Sequence, residues 1–162
     1  MQQKHLSVPY FEYDSPAELT EIEQELLKQA KSVLDSAYAP YSKYHVGAAV
    51  LLGNGKIFTG NNQENMAFPS GLCAERVALY AAAANNPGVD IVAIAITARS
   101  EAFPVVDPVP PCGSCRQSLI EYEMISQKRI RVILMGETGK VLLIEGIDRL
   151  LPLSFREDGL KK

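Results

Sequence analysis

The chain has no long apolar run, no surplus of basic residues and no cysteine outside two short segments. No stretch approaches the ~18 consecutive apolar residues that suggest a membrane-crossing helix, so no membrane partner is expected. The opening Met1-Gln2-Gln3-Lys4-His5 lacks the apolar core of a secretion signal, which makes the cytoplasm the expected compartment. With 16 Lys+Arg against 19 Asp+Glu and a net charge of −3, the basic face of a nucleic-acid binder is missing too. Lys128-Arg129 and Lys161-Lys162 read as solvated surface. There is no internal repeat, low-complexity tract or linker.

What is present fits one catalytic-sized domain. At 162 residues and 47% apolar content, the chain can bury a core that needs no disulfide. Three cysteines, an odd number, then read as reduced thiols or metal ligands. Ser15-Pro16-Ala17-Glu18 offers a capping box with proline at the first helical position. Leu19, Ile22, Leu26, Ala30, Val33 and Ala37 follow at helical steps, and Tyr38-Ala39-Pro40-Tyr41 ends that helix. Residues 46–52 and 56–60 form a hairpin across Gly53-Asn54-Gly55. A second helix runs over 74–84, a buried strand over 90–98 and a third helix over 113–125. A second hairpin pairs 131–135 with 140–145, and a short helix at 147–151 precedes the tail. The order α-β-β-α-β-α-β-β predicts an α/β fold, a mixed sheet with helices on its faces. Residues 1–14 read as an arm, with Tyr10, Phe11 and Tyr13 packing on something, and residues 15–162 as one domain.

All three cysteines lie in Gly71-Leu72-Cys73-Ala74-Glu75-Arg76 and Pro110-Pro111-Cys112-Gly113-Ser114-Cys115. Both segments fall at helix starts, where unpaired N–H groups and the helix dipole favour thiolate over thiol. Cys112 and Cys115, three apart, share one side of a first turn. A structural zinc usually takes four protein ligands, whereas a catalytic one takes three and leaves a place for water. His5 and His45 show no ligand spacing to either segment, so the set reads as one open zinc site per chain, ligated by Cys73, Cys112 and Cys115. Glu75 then serves as proton carrier, and Arg76 is placed to donate to a ligand sulfur and offset the thiolate charge. A redox dithiol, a structural zinc and three metal-free buried thiols are the competing readings.

Cys73-Ala74-Glu75 with Pro111-Cys112-Gly113-Ser114-Cys115 resembles the signature of zinc deaminases in which cysteine replaces histidine. The chain is similar to the cytidine deaminase family, in its small three-cysteine type, from about Ala30 to Phe155. That resemblance implies a three-layer α-β-α sandwich around a mixed five-stranded sheet, a nucleoside substrate and a homotetramer with shared active sites. Ala39-Pro40-Tyr41-Ser42-Lys43-Tyr44-His45-Val46-Gly47-Ala48 looks like the segment that brings an aromatic ring to the pyrimidine, which puts Tyr44 at that position. The family more often has phenylalanine then proline there, so Tyr44-His45 is a departure, and the phenol needs a hydrogen-bond partner if buried.

Asn62-Gln63-Glu64-Asn65, eleven residues before Cys73, is similar to the family's ribose-binding Asn-x-Glu-Asn and implies sugar contacts from Asn62 and Glu64. Phe68-Pro69 matches a pocket wall, and the Ala74 N–H is the implied donor to the ring carbonyl. Leu150 to Phe155 resembles the family's terminal motif, whose phenylalanine reaches a neighbouring subunit's site. As a core residue, Phe155 would do no such thing. Arg156-Glu157-Asp158 follows where a glycine-containing turn is more usual. The implied reaction is hydrolytic deamination of cytidine and 2′-deoxycytidine, as in pyrimidine salvage. Deamination of another aminopyrimidine, polynucleotide editing and a non-catalytic zinc module are the rivals.

Overall fold

A computed structural model describes residues 1–156 and Leu160. Its strands are β1 (Phe11–Tyr13), β2 (Tyr44–Leu52), β3 (Ile57–Asn61), β4 (Ile91–Ser100), β5 (Arg131–Met135) and β6 (Val141–Glu145). The α-helices are α1 (Glu21–Ser32), α2 (Ala74–Asn85) and α3 (Gly113–Ser126). One mixed sheet has the order β1-β6-β5-β4-β2-β3. β4 and β5 pair in parallel across the α3 connection, and the other neighbours are antiparallel.

The sheet has six strands, not the expected five. The extra one comes from the arm: Phe11 pairs with Leu143 and Tyr13 with Val141. Without it, β6 would present a row of unpaired backbone groups. Tyr13 packs into the core beneath α1, and Lys140 forms an ion pair with Glu12. Phe-Glu-Tyr is too short for a period-two pattern to register as a strand.

Strand alternation divides the core between the two faces of the sheet. Val50, Ile94, Ile96, Val132 and Leu134 face α2 and α3, where Leu79, Leu119 and Ile120 meet them. Ala49, Ala93, Ala95, Ile133 and Leu143 face α1, which contributes Leu26, Leu27 and Ala30. Both faces are covered, which accounts for strands that read as continuous apolar runs. The result is the expected three-layer α-β-α sandwich.

The start of α1 differs from its sequence reading. The Ser15–Glu18 capping box closes only a 3-10 turn, Pro16–Glu18. Leu19 is then extended, and a second cap follows: Glu23 Oε2 accepts from the Thr20 N–H at 3.0 Å and from its hydroxyl at 2.6 Å. Within α1 the buried face is Glu23, Leu26, Leu27 and Ala30, so Leu27 is buried while Ile22, on the expected stripe, is 48% exposed. The helix stops at Ser32 and a 3-10 turn, Leu34–Ser36, carries the chain on.

Two glycines let helices lie directly on the sheet. A Cβ on Gly60 would stand 2.4 Å from Ala78 N and 2.7 Å from Ala74 O, so any side chain there would push α2 off β3. A Cβ on Gly47 would stand 2.0 Å from Ala30 O, which fixes α1 in the same way. Because β3 and β4 both run antiparallel to β2, they deliver the chain to the same end of the sheet, where β2 begins. That end, outside the carboxyl ends of two strands, is where open α/β sheets bind ligands.

Candidate active site

Cys73 is the N-cap of α2, Cys112 the N-cap of α3, and Cys115 lies in the first turn of α3. Their three sulfurs lie within 4.8 Å of one another, with Cys73–Cys112 at 3.8 Å and Cys112–Cys115 at 3.4 Å. A tetrahedral zinc with bonds of about 2.3 Å holds its sulfurs about 3.8 Å apart, so the donor set fits that ion. Among the described residues these three make up the whole metal-competent cluster. Three ligands leave the fourth position open, and Cys73 and Cys112 both line a cavity of ≈ 590 Å³.

The electrostatics of the cluster favour a dication. The Cys73 thiol is drawn down to about 5, first by a hydrogen bond from Cys115 and then by Arg76, whose Nη2 is 4.0 Å away. Cys115 is pushed strongly up, because it donates to that thiolate and is buried beside it. A lone proton-sharing trio therefore keeps one sulfur ionised at the expense of another. A bound dication removes the conflict and lets all three coordinate as thiolates.

Glu75 follows Cys73 by two residues and is 4% exposed, yet it lines the same cavity. Burial raises its carboxyl pKa, and the charge on Cys73 adds to that rise, opposed by the residue's own N–H. It is a carboxyl poised to hold a proton next to the open side of the metal cluster. The Ala74 N–H sits in the first turn of α2, where no preceding helical carbonyl is available to it.

Tyr44, Asn62, Glu64 and Phe68 all line the cavity. The Asn62 amide, however, is already engaged with β2: Oδ1 accepts from the Val46 N–H at 2.8 Å and Nδ2 donates to the Tyr44 carbonyl at 2.9 Å. Glu64 Oε2 accepts from the N–H groups of Tyr41 (2.9 Å) and Ser42 (3.2 Å). Burial raises the Glu64 pKa, but its bonds to Ser42 and Tyr41 outweigh this and hold the carboxyl below its ordinary value. Phe68 is 79% exposed and meets Tyr41 edge-on at 6.4 Å.

Phe155 does not enter this cavity. It is 71% exposed, which rules out a core role within the chain, and its carbonyl accepts from Gln117 Nε2 at 3.2 Å. Glu157-Asp158 and Lys161-Lys162, singled out in the sequence, lie outside the described residues.

Sequence reasoning missed several contributors. Tyr41, Ser42, Val109 and Pro110 complete the cavity wall from loops that carry no periodic signal. Arg116 holds the metal loop: its Nε donates to the Pro111 carbonyl and its Nη1 to the Leu150 carbonyl, each at 2.7 Å. Its position directly after the last cysteine is the only sequence hint of that role.

Comparison with known proteins points the same way. Residues 20–131 match the model of the cytidine and deoxycytidylate deaminase zinc-binding region. The chain is 36% identical over 137 residues to a cytidine deaminase of Halalkalibacterium halodurans, covering 85% of this chain and 96% of that protein. A cytidine deaminase of Sporosarcina psychrophila is also 36% identical over 137 residues, with 93% of its length covered. In three dimensions, the crystal structure of cytidine deaminase from Burkholderia pseudomallei aligns with a TM-score of 0.71 at 37% identity, covering 85% of this chain and all of that one. With its three-cysteine zinc site at the starts of two helices, the chain belongs to the cytidine deaminase family.

Proposed function

We propose that the protein is a zinc-dependent hydrolase that converts cytidine and 2′-deoxycytidine to uridine and 2′-deoxyuridine, releasing ammonia. The observation that carries this reading is a buried carboxyl, Glu75, beside an open three-thiolate cluster in a cavity that also holds Glu64. Ammonia release from cytidine tests it.

In the net reaction the bond between ring C4 and its exocyclic amino nitrogen breaks, and water supplies the oxygen of the new carbonyl. Zinc held by Cys73, Cys112 and Cys115 would supply Lewis acidity, lowering the pKa of that water. Glu75 accepts the water's proton and passes it to ring N3. The same carboxylate then takes the remaining proton from the hydroxyl now on C4 and delivers it to the departing amino group, which leaves as ammonia while the carbonyl forms. Its raised pKa suits both halves of that duty, since it must take a proton and give it up again. Arg76 offsets part of the thiolate charge from its place beside Cys73. The Ala74 N–H donates to the ring carbonyl, and Tyr44 and Phe68 flank the base.

Glu64 reads the ribose in this account, and Asn62 joins it through the one N–H and one lone pair that its two bonds to β2 leave over. Glu64→Ala is expected to raise KM for cytidine by about 10- to 100-fold, as loss of a charge-assisted bond to the ligand would. Any activity on free cytosine should be unchanged. Equal losses on nucleoside and base would mean that Glu64 merely holds the 41–42 turn, and the sugar assignment would fail.

Residues 1–14 act as an arm on a single catalytic domain formed by 15–162. Phe155, exposed on its own chain, suits a role in a neighbouring subunit's cavity, and so supports a homotetramer with shared sites. Three free cysteines suit a reducing cytoplasm. No helix among the described residues is long and apolar enough to cross a membrane.

A further inference from the structure

The start of β2, which presents Tyr44 to the cavity, is braced along both of its edges. On the β3 side the Asn62 amide bridges the Tyr44 carbonyl and the Val46 N–H. On the β4 side the bend after Ser100 supplies the brace. The Glu101 N–H donates to the Lys43 carbonyl at 3.1 Å, and Glu101 Oε1 lies 2.9 Å from His45 Nε2. The Ala102 N–H donates to Ser100 Oγ at 3.1 Å and tightens the bend. Two residues beyond the Glu101 anchor, the Phe103 ring lies against Tyr44 with centroids 6.2 Å apart and a tilt of 32°.

The His45 side chain is only 12% exposed, and its Nδ1 is buried with no hydrogen-bond partner among the described residues. Glu101 is therefore the hydrogen-bond partner that orients the ring. Neighbouring side chains of a strand point to opposite faces, so Glu101 grips His45 from one face while Phe103 meets Tyr44 on the other. Phe103 itself is 56% exposed and is not part of the cavity wall, so neither core packing nor direct lining explains its place. Its aromatic contact is with a residue that does line the cavity. Nor is the Tyr44 hydroxyl tied down, since it has no hydrogen bond to the described residues. Among the described residues, Phe103 is the aromatic neighbour of that ring.

We infer that Phe103, anchored by the Glu101–His45 pair, is a positioning residue that sets affinity for the pyrimidine by fixing the ring of Tyr44. This rests on the reading of the cavity as a cytidine site. A ring held in its binding orientation loses little freedom when a flat base stacks on it, so the benefit falls on binding. Glu75 and the cysteines lie outside this unit, so the chemical step is untouched.

Steady-state kinetics on cytidine with the zinc-loaded enzyme test it. Phe103→Ala should raise KM about 3- to 10-fold, the range expected for losing an aromatic pair. Its kcat should stay within about twofold, since no transition-state contact is lost. Phe103→Tyr should restore the wild-type KM, and Glu101→Gln should raise KM in the same direction as Phe103→Ala. In a Tyr44→Leu background, Phe103→Ala should add nothing further. An unchanged KM in Phe103→Ala would overturn the inference. So would a fall in kcat with lost zinc, or an undiminished effect in the Tyr44→Leu background. An inactive wild-type enzyme would overturn the cytidine reading itself and this inference with it, an outcome distinct from the other three.

Discussion

Glu75→Gln is expected to reduce turnover of cytidine by about 10²- to 10⁴-fold, the usual contribution of a positioned acid–base group. Zinc content and nucleoside binding should stay close to wild type. Glutamine keeps the shape of the side chain and its place at 4% exposure in α2, but it cannot take up and release a proton. The substitution also removes a carboxyl whose pKa burial has raised, so the fold should tolerate the neutral side chain. Single-turnover kinetics, with equilibrium binding of uridine and metal analysis, separate the effects. A variant within about tenfold of wild type would show that another group moves the proton.

The second large effect is expected from removing the metal. Treatment with a strong zinc chelator should abolish measurable deamination, and stoichiometric zinc should restore it. Stability should fall too. With free zinc at 1,000 times its dissociation constant, the ion stabilises the fold by about 4 kcal/mol, which is lost when it is stripped. The loss should centre on the starts of α2 and α3, because Cys73 and Cys112 cap those helices and three sulfurs within 4.8 Å are left to share one another's protons. Thermal denaturation with and without chelator reads this directly. Full activity in a zinc-free preparation would exclude the thiolate cluster from the reaction.

The three-cysteine cluster could be read from the sequence because its chemistry is local. Cys73-Ala74-Glu75 and Pro111-Cys112-Gly113-Ser114-Cys115 each carry their spacing within one helix start, and the structure needs only to bring two helix ends together. The Gly53-Asn54-Gly55 turn between two strand-like segments likewise placed β2 and β3 to within about two residues at each end. What stayed hidden depends on distant pairing. β1 exists because β6 has a free edge, which three residues of sequence do not announce. The break at Leu19 reflects competition between two capping boxes five residues apart, and either alone would have started a helix. The engagement of Asn62 with β2, and the stacking of Phe103 on Tyr44, join segments 16 or more residues apart in ways no local pattern encodes.

Purified protein carrying one zinc per chain is incubated with cytidine, while ammonia release and loss of the cytidine absorbance band are followed together. Stoichiometric ammonia and uridine, abolished by the chelator and by Glu75→Gln, are the outcome this account predicts. Full zinc occupancy with no ammonia from cytidine or 2′-deoxycytidine would contradict it.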